Sequence, residues 1–295
     1  MPTLRAATRG SPLARWQAEH VATLLRAVEP DVTVELVVVD TQGDRRLDVP
    51  IWELGGKGVF AKEVQAAVLD GRADFAVHSA KDLPAVTVPG LVMAAVPERG
   101  DPRDALVGCT LANLPQGAEV ATGSLRRQVE LLRHRPDLRF VSLRGNMQTR
   151  LAKATEHDAV VVAAVALDRL GLGDQIAERL STDTMLPQVA QGALAVECQE
   201  DDADVRSLLG RIEHAPSRRC VDAERAFLAE LGGDCTLPAG AHAVLDGEAL
   251  HLSAFLASPD GRTMLRTTIE GPGLAIGADA ARELRERGGP ALLDG

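Results

Sequence analysis

The side chains with the strongest claim to chemistry are basic. Arg9, Lys57, Lys81, Arg126, Arg127, Arg144, Arg150 and Arg169 each fall on a loop that follows a strand-like run, or in the helix turn behind it. Strand ends and helix N-termini already offer unpaired N–H groups and the positive end of a dipole. Guanidinium forks added there bind carboxylate or phosphate. One such arginine reads as a solvated charge or as a partner for one of the 42 acidic residues, because an exposed pair contributes only ~0–1 kcal/mol. The whole set does not read that way. A cation in the first turn of a helix opposes the dipole by roughly 0.3–1 kcal/mol, which a bound anion offsets. No GxxxxGK[ST] or GxGxxG cradle follows a strand, and Gly55-Gly56-Lys57-Gly58 matches such a cradle only superficially. Dispersed Arg and Ser groups fit a ligand that carries several separate carboxylates.

Two further groups stand out. Asp82 lies between Lys81 and Leu83-Pro84 at a strand end, where a carboxylate among cations stays ionised and can stabilise a developing positive charge. The same position also suits a turn or helix cap, and local sequence leaves both readings open. Cys235 lies in Gly232-Gly233-Asp234-Cys235-Thr236-Leu237-Pro238, a loop leaving a helix, whereas Cys198 in Ala195-Val196-Glu197-Cys198 reads as buried. A loop cysteine is reactive only with access and thiolate stabilisation, so inert and reactive readings of Cys235 both stand at this point. His78, inside its strand, reads as a packed core residue. The four cysteines show no CxxC spacing, which argues against a zinc site or a disulfide framework, and no metal is expected.

The elements that must hold these groups alternate. Leu4 to Thr8 reads as a strand, and Ser11-Pro12 supply an N-cap and first-turn proline for a helix whose buried face is Leu13, Trp16, Val21, Leu24, Leu25 and Val28. Val32 to Asp40 reads as a buried strand. After a polar, glycine-rich connection from Thr41 to Gly58, helix resumes at Val59 with Phe60, Val64, Ala67 and Val68 on one face and Gly71 as its stop. Asp74 to His78 is then a strand that delivers Ser79, Lys81 and Asp82 at its C-terminal end, the end that binds ligands in open α/β sheets. The pattern repeats at Glu119–Ala121 with Thr122-Gly123-Ser124, at Phe140–Leu143 with Arg144-Gly145-Asn146, and at Ala159–Ala164 ahead of Arg169.

Pro97 to Pro102 and Pro187 to Gly192 read as crossings between domains, with Ala193–Glu197 a strand returning to the first sheet. From Pro216 a helix through Glu224 and Phe227 ends at Gly232-Gly233, and three strand-like runs follow with Asp246-Gly247 and Asp260-Gly261 at hairpin turns. The expected division is 1–96 with 193–212, then 99–189, then 216–295.

Composition sets the class. A chain of 295 residues, 45% hydrophobic and 25% charged, is a folded protein of two or three domains. It has no apolar run of the ~20 residues that span a bilayer, and the N-terminus lacks signal-peptide features, so a cytoplasmic protein without a membrane partner is expected. A net charge of -10 disfavours nucleic acid, and the absence of Tyr with five Phe and two Trp leaves no base-stacking platform.

Taken in order, several segments carry a resemblance. They are Thr8-Arg9-Gly10-Ser11-Pro12-Leu13-Ala14, Gly55 to Phe60, the run Ala73 to Pro84, and Glu98 to Ala105. They continue with Gly123-Ser124-Leu125-Arg126-Arg127-Gln128, Leu143-Arg144-Gly145-Asn146, Gln191-Gly192-Ala193 and the Cys235 loop. Spanning nearly the whole chain, they closely resemble the hydroxymethylbilane synthases, also called porphobilinogen deaminases, of tetrapyrrole (haem) biosynthesis.

The resemblance implies an α/β protein with two periplasmic-binding-protein-like domains around a cleft plus a small α+β C-terminal domain bearing the cofactor cysteine. It implies a transferase, working as a monomer, with a dipyrromethane cofactor attached by a thioether to Cys235. Four molecules of porphobilinogen would be added one by one with loss of ammonia, and the linear tetrapyrrole released by hydrolysis. By position, the resemblance makes Asp82 the carboxylate that engages pyrrole N–H groups and stabilises the cationic azafulvene formed when ammonia leaves. It makes Arg9, Ser11, Lys57, Ser79, Lys81, Thr122, Ser124, Arg126, Arg127, Arg144, Arg150 and Arg169 the residues that hold acetate and propionate side chains, each charge-assisted bond contributing ~1.5–3 kcal/mol. Three positions depart from the family pattern: Glu53 stands where several relatives carry a basic residue, Gly123 replaces a frequent Ser, and Asp234 precedes the cysteine where Gly is usual. A different class also accommodates a two-domain cleft, namely a non-catalytic polycarboxylate-binding or effector-sensing protein.

Overall fold

A computed structural model describes residues 3–45, 58–232 and 237–293. The chain opens with β1 (Thr3–Arg9), α1 (Pro12–Val28), β2 (Thr33–Val39) and a short turn of helix, α2 (Gln42–Arg45). There follow α3 (Lys62–Leu69), β3 (Phe75–Ser79), a 3-10 turn at Ala80–Asp82 and β4 (Leu91–Ala95). A second run holds β5 (Asp104–Val107), β6 (Glu119–Ala121), α4 (Leu125–His134), β7 (Arg139–Val141), α5 (Met147–Ala152), β8 (Ala159–Ala163), α6 (Ala164–Arg169) and β9 (Ile176–Arg179). Then come β10 (Leu194–Gln199), α7 (Ala203–Gly210) and α8 (Ala215–Glu230). The chain closes with β11 (Ala239–Asp246), β12 (Ala249–Ala257), β13 (Met264–Gly271), α9 (Ile276–Glu286) and α10 (Gly289–Leu293). Among the described residues no helix is long and apolar enough to cross a membrane.

Contacts group the chain into two units, Met1–Gly100 with Gly192–Arg218, and Asp101–Gln191 with Arg219–Gly295. In the first, one sheet runs in the order β2-β1-β3-β10-β4. β1 is parallel to both β2 and β3, and β10 is antiparallel to β3 and β4. Parallel neighbours need crossover helices, so the C-terminal ends of β1 and β3 lie side by side where α1 and the 3-10 turn begin. Phe75, Val77, Leu194 and Val196 pack against Val21 and Leu25 of α1 on one face, and Ala7 and Ala76 pack against Val64, Ala67 and Val68 of α3 on the other. Each fully buried aliphatic side chain of this kind contributes ~1.5–3 kcal/mol.

The start of α1 follows its sequence signals: Ser11 Oγ accepts from the Ala14 N–H at 3.3 Å, with Pro12 in the first turn. Its buried face is instead rotated by about one residue from the large apolar positions, with Ala14, Gln17, Ala18, Val21, Ala22 and Leu25 inside. Small alanines four residues apart let the helix sit close to the sheet. The Val-rich β2 is not a buried strand. It ends the sheet with β1 as its one partner among the described residues, and its residues alternate between half-buried and exposed. The helix expected from Val59 begins at Lys62, with Phe60 in the preceding turn, and stops before Gly71, whose φ is 68°. Trp16 of α1 stacks on His20 with ring centroids 4.9 Å apart.

The second unit holds a sheet in the order β7-β6-β8-β5-β9, with β6 parallel to β7 and β8, and β5 antiparallel to β8 and β9. Its inner strands β6, β8 and β5 are covered on both faces: Leu106, Val120 and Val161 meet Leu131 of α4, while Val107, Ala121, Val160 and Val162 meet Leu167 of α6. A three-stranded antiparallel meander, β11-β12-β13, belongs to the same unit. Its turns use the expected Asp-Gly pairs, Gly247 at φ 57° and Gly261 at φ 70°. Val129 of α4 and Leu186 pack on Phe255 and Ala257 of β12. Glu224 of α8 is fully buried, and its two oxygens accept from the main-chain N–H groups of Ala190 (2.6 Å) and Ala243 (2.8 Å). Ala190 is the one non-glycine with positive φ among the described residues, at 59°.

Helices α8 and α9 approach through a glycine: a Cβ on Gly277 would overlap the Ala223 carbonyl and crowd the Phe227 nitrogen at 2.9 Å. Both neighbours are backbone and cannot swing away, so Gly277→Ala is expected to destabilise the protein by roughly 1–3 kcal/mol. Urea unfolding checks it, as a lower midpoint at unchanged slope.

Candidate functional site

In the first unit the candidate groups gather where β1 and β3 end. Arg9 closes β1, and its guanidinium lies over the Phe60 ring at 4.2 Å, a cation–π contact of about 0.5–2 kcal/mol. Ser11 follows directly, its oxygen engaged as the α1 cap. Ser79 closes β3 and accepts from Nε2 of buried Gln17 at 2.8 Å, so α1 and β3 are joined beside it. Lys81 and Asp82 then stand half-buried on the 3-10 turn, which the Ala80 N–H anchors to the Ala193 carbonyl at 3.0 Å. The two readings of Asp82 separate here. Among the described residues its carboxylate caps no N–H group and pairs with no cation, so the turn is not held by it.

His78 is 5% exposed and its Nε2 is 3.2 Å from Glu197 Oε2, itself bonded by Gln65 Nε2 at 2.8 Å. It is the packed core residue expected. Cys198 is fully buried, and burial pushes its thiol up to about 11. Lys57, Glu53, Asp234 and Cys235 lie outside the described residues. Among the described residues no cluster of His, Cys, Asp and Glu could hold a metal ion.

In the second unit the parallel strands β7, β6 and β8 stop along one edge, and the helices that follow carry the candidates. Thr122 is buried and its Oγ1 accepts from the Ser124 N–H at 3.3 Å, while the Ser124 hydroxyl caps nothing in α4. Gly123 is tight against the next strand end: a Cβ there would stand 2.9 Å from the Leu143 carbonyl oxygen, a contact that only glycine relieves. Arg144 follows β7 half-buried, and Arg150 of α5 donates from Nε to the Gly145 carbonyl at 2.9 Å. Arg169 ends α6, and burial lowers its guanidinium to about 10, with Asp168 opposing the shift.

Arg126 and Arg127, expected to bind a ligand anion from the α4 turn, also meet a carboxylate of the protein itself. They are only 3% and 6% exposed and converge on Asp104, which is fully buried. Arg126 Nη2 donates to Asp104 Oδ2 at 2.7 Å and Nη1 to the Leu186 carbonyl at 2.6 Å. Arg127 donates to Asp104 Oδ1 from Nε (3.0 Å) and Nη2 (2.8 Å), and from Nη1 to the Val161 carbonyl at 3.0 Å. Gln191 Nε2 adds a bond to Oδ1 at 3.0 Å and one to the Pro102 carbonyl at 2.8 Å. The compensating anion for these two arginines is therefore, in the first place, a residue of the protein. Sequence reasoning missed Asp104, Gln191 and Gln17. The one available signal was a carboxylate opening the apolar strand Asp104-Ala105-Leu106-Val107, where a charge without a cation would be costly.

Comparison with known proteins bears on both clusters. Residues 4–207 match the family described as porphobilinogen deaminase, dipyromethane cofactor binding domain, and residues 218–286 match porphobilinogen deaminase, C-terminal domain. A porphobilinogen deaminase of Syntrophotalea carbinolica is 46% identical over 98% of this chain and 95% of its own length. One from Nitratidesulfovibrio vulgaris is 48% identical over 95% of this chain and 90% of its own. Among solved structures, the methionine binding protein MetQ aligns at 13% identity over 71% of this chain and 89% of its own, with a TM-score of 0.45.

Burial alone would raise the Asp104 carboxyl, yet Arg126, Arg127 and the Gln191 amide hold it at about 2. With an ordinary value near ~3.9, its share of stability is complete above about pH 4 and is lost as pH falls through the lowered value. Asp104→Asn is expected to flatten part of the acid limb of a stability–pH profile, which denaturant titrations between about pH 2 and 5 check.

Proposed function

The chain belongs to the porphobilinogen deaminase family, and from that premise we propose that Asp82 is its catalytic carboxylate and Cys235 the attachment point of its dipyrromethane cofactor. The enzyme is a transferase that condenses porphobilinogen into a linear tetrapyrrole, hydroxymethylbilane, with release of ammonia. The observation that carries the Asp82 assignment is its half-buried carboxylate at the end of β3, engaged by no partner among the described residues. Such a carboxylate can accept from pyrrole N–H groups. It opposes the positive charge that develops on the substrate as ammonia leaves, and a charge fixed in place before reaction needs no reorganisation. Arg9, Ser11, Ser79 and Lys81 around it, and Thr122, Ser124, Arg126, Arg127, Arg144, Arg150 and Arg169 in the second unit, hold acetate and propionate groups in this proposal, with Lys57 joining them from its loop.

The residues present suit an acid-bearing cofactor. Arg126 and Arg127 share a single carboxylate, and Arg126 Nε is buried without a hydrogen-bond partner, so capacity for a further carboxylate remains. Dipyrromethane, when bound, supplies the primer to which substrate units are joined. The chain's own residues orient its acid groups and keep them paired. We further propose a division into 1–96 with 193–212, 99–189 and 216–295, and a cytoplasmic monomer, which a net charge of -10 favours by self-repulsion. A non-catalytic polycarboxylate-binding protein would need neither an unengaged Asp82 nor a loaded cysteine, and family membership sets that reading aside.

Intact-mass measurement of the purified protein is expected to show an adduct of two linked pyrrole units that disappears in Cys235→Ala. An unmodified but active protein would remove the cofactor assignment. Asp82→Asn is expected to retain both fold and adduct while lowering kcat by about 100-fold or more. Near-normal turnover in that variant rejects the role given to Asp82.

A further inference from the structure

Asp104 takes no part in the reaction as described, yet it is fully buried and accepts from two of the candidate arginines of the second unit. It opens β5, and its register partner is Ala163, the last residue of β8. It therefore lies at the sheet edge where β6 and β8 stop and α4 and α6 start. Successive residues of a helix point about 100° apart, so Arg126 and Arg127 would diverge without something to gather them. Oδ2 takes Arg126, and Oδ1 takes Arg127 together with the Gln191 amide.

The charge count separates a clamp from a site. A buried cluster serving stability alone favours neutrality, because an uncompensated interior charge is expensive. Here two guanidiniums meet one carboxylate. The buried carboxylate of Glu130, whose charge also acts on Arg126, is already bonded by Arg266 at 3.1 and 3.3 Å and lies 3.3 Å from Arg133, so two further cations draw on it. One positive charge is in surplus at Asp104, and Arg126 Nε, in a side chain 3% exposed, has no acceptor. A buried donor left unmade is destabilising, a cost that an incoming carboxylate removes.

We propose that Asp104 is a positioning residue: it fixes Arg126 and Arg127 as one double-guanidinium unit while leaving it net positive, so that the unit is preset for a carboxylate of the cofactor or substrate. Gln191 steadies Asp104 by bridging it to the Pro102 carbonyl. The inference rests on the reading that these two arginines hold ligand acid groups. Asp104 acts through them and touches no ligand.

The experiment compares holoenzyme of the unaltered protein with Asp104→Asn, Asp104→Glu, Arg127→Leu and the double variant Asp104→Asn/Arg127→Leu. It measures the cofactor-loaded fraction by intact mass, KM and kcat for porphobilinogen, and Tm. Asp104→Asn is expected to raise KM about 10-fold, or to lower loading comparably, with kcat held within about 3-fold, because ground-state binding is what changes. In the Arg127→Leu background the same substitution is expected to alter KM less than about 2-fold, the non-additivity of residues that act through one another. A fall in Tm with loading and KM unmoved overturns the proposal, as do equal effects in both backgrounds. Should Asp104→Asn fail to fold, Asp104→Glu keeps the charge but displaces it by a methylene. A raised KM there supports positioning, and an unchanged KM and loading overturn it. Absence of adduct and turnover in the unaltered protein would instead reject the functional reading itself, a result separate from any effect of Asp104.

Discussion

A carboxylate without access to water, bonded by two guanidiniums and one amide, determines how the second unit is built where β6 and β8 end and α4 begins. Asp104 begins β5, Arg126 and Arg127 begin α4, and Gln191 lies much later in the chain. Their meeting fixes the first turn of α4 against the sheet. The spare bonds to the carbonyls of Leu186 and Val161 tie in two more segments. Such a cluster is strongly constrained. Its ions give up their hydration, so each must be met by a partner of correct geometry, and loss of one partner leaves the others exposed to the full cost of burial.

The two aspartates at strand ends illustrate how environment divides one chemical group into two states. Asp104 is enclosed, its oxygens saturated and its proton affinity lowered by the cations around it. Asp82 stands half-buried on a turn closed by the Leu83 N–H donating to the Ala80 carbonyl, so its oxygens are not consumed by the fold. The backbone bond is what releases the side chain. Had Asp82 been the cap of that turn, the same carboxylate would have been a structural acceptor with nothing left to offer a pyrrole N–H.

Much of this was legible along the chain, because caps, turns and strand-end motifs are local. Ser11-Pro12 starts α1, Gly71 ends the segment after α3, and the Asp-Gly pairs turn the meander. His78 and Cys198 were recognisable as interior from apolar neighbours. What was not legible depends on pairing between distant segments. Gln17 meets Ser79 across 62 positions and Gln191 meets Asp104 across 87. Periodicity also misjudged α1, where alanines rather than Leu13 and Trp16 face the sheet. The run in β2 looked interior, yet a strand's place in the sheet order, not its composition, decides how many faces and edges it covers. The Asp104 partnership of Arg126 and Arg127 was hidden for the same reason: a one-dimensional pattern shows that cations follow a strand, but not that a carboxylate from another strand already meets them.

Glu224 of α8 grips main-chain N–H groups at Ala190 and Ala243. An acceptor that reads backbone is blind to the identity of the residues it holds. The grip itself leaves latitude at both positions, and what narrows them is packing: burial keeps position 243 small, and burial with a left-handed φ narrows position 190. Position 224 has no such latitude, since an amide in its place would turn one acceptor into a donor facing another donor. A lineage carrying this fold would be expected to keep small residues at the two held positions for reasons of volume, and the glutamate for the direction of two protons.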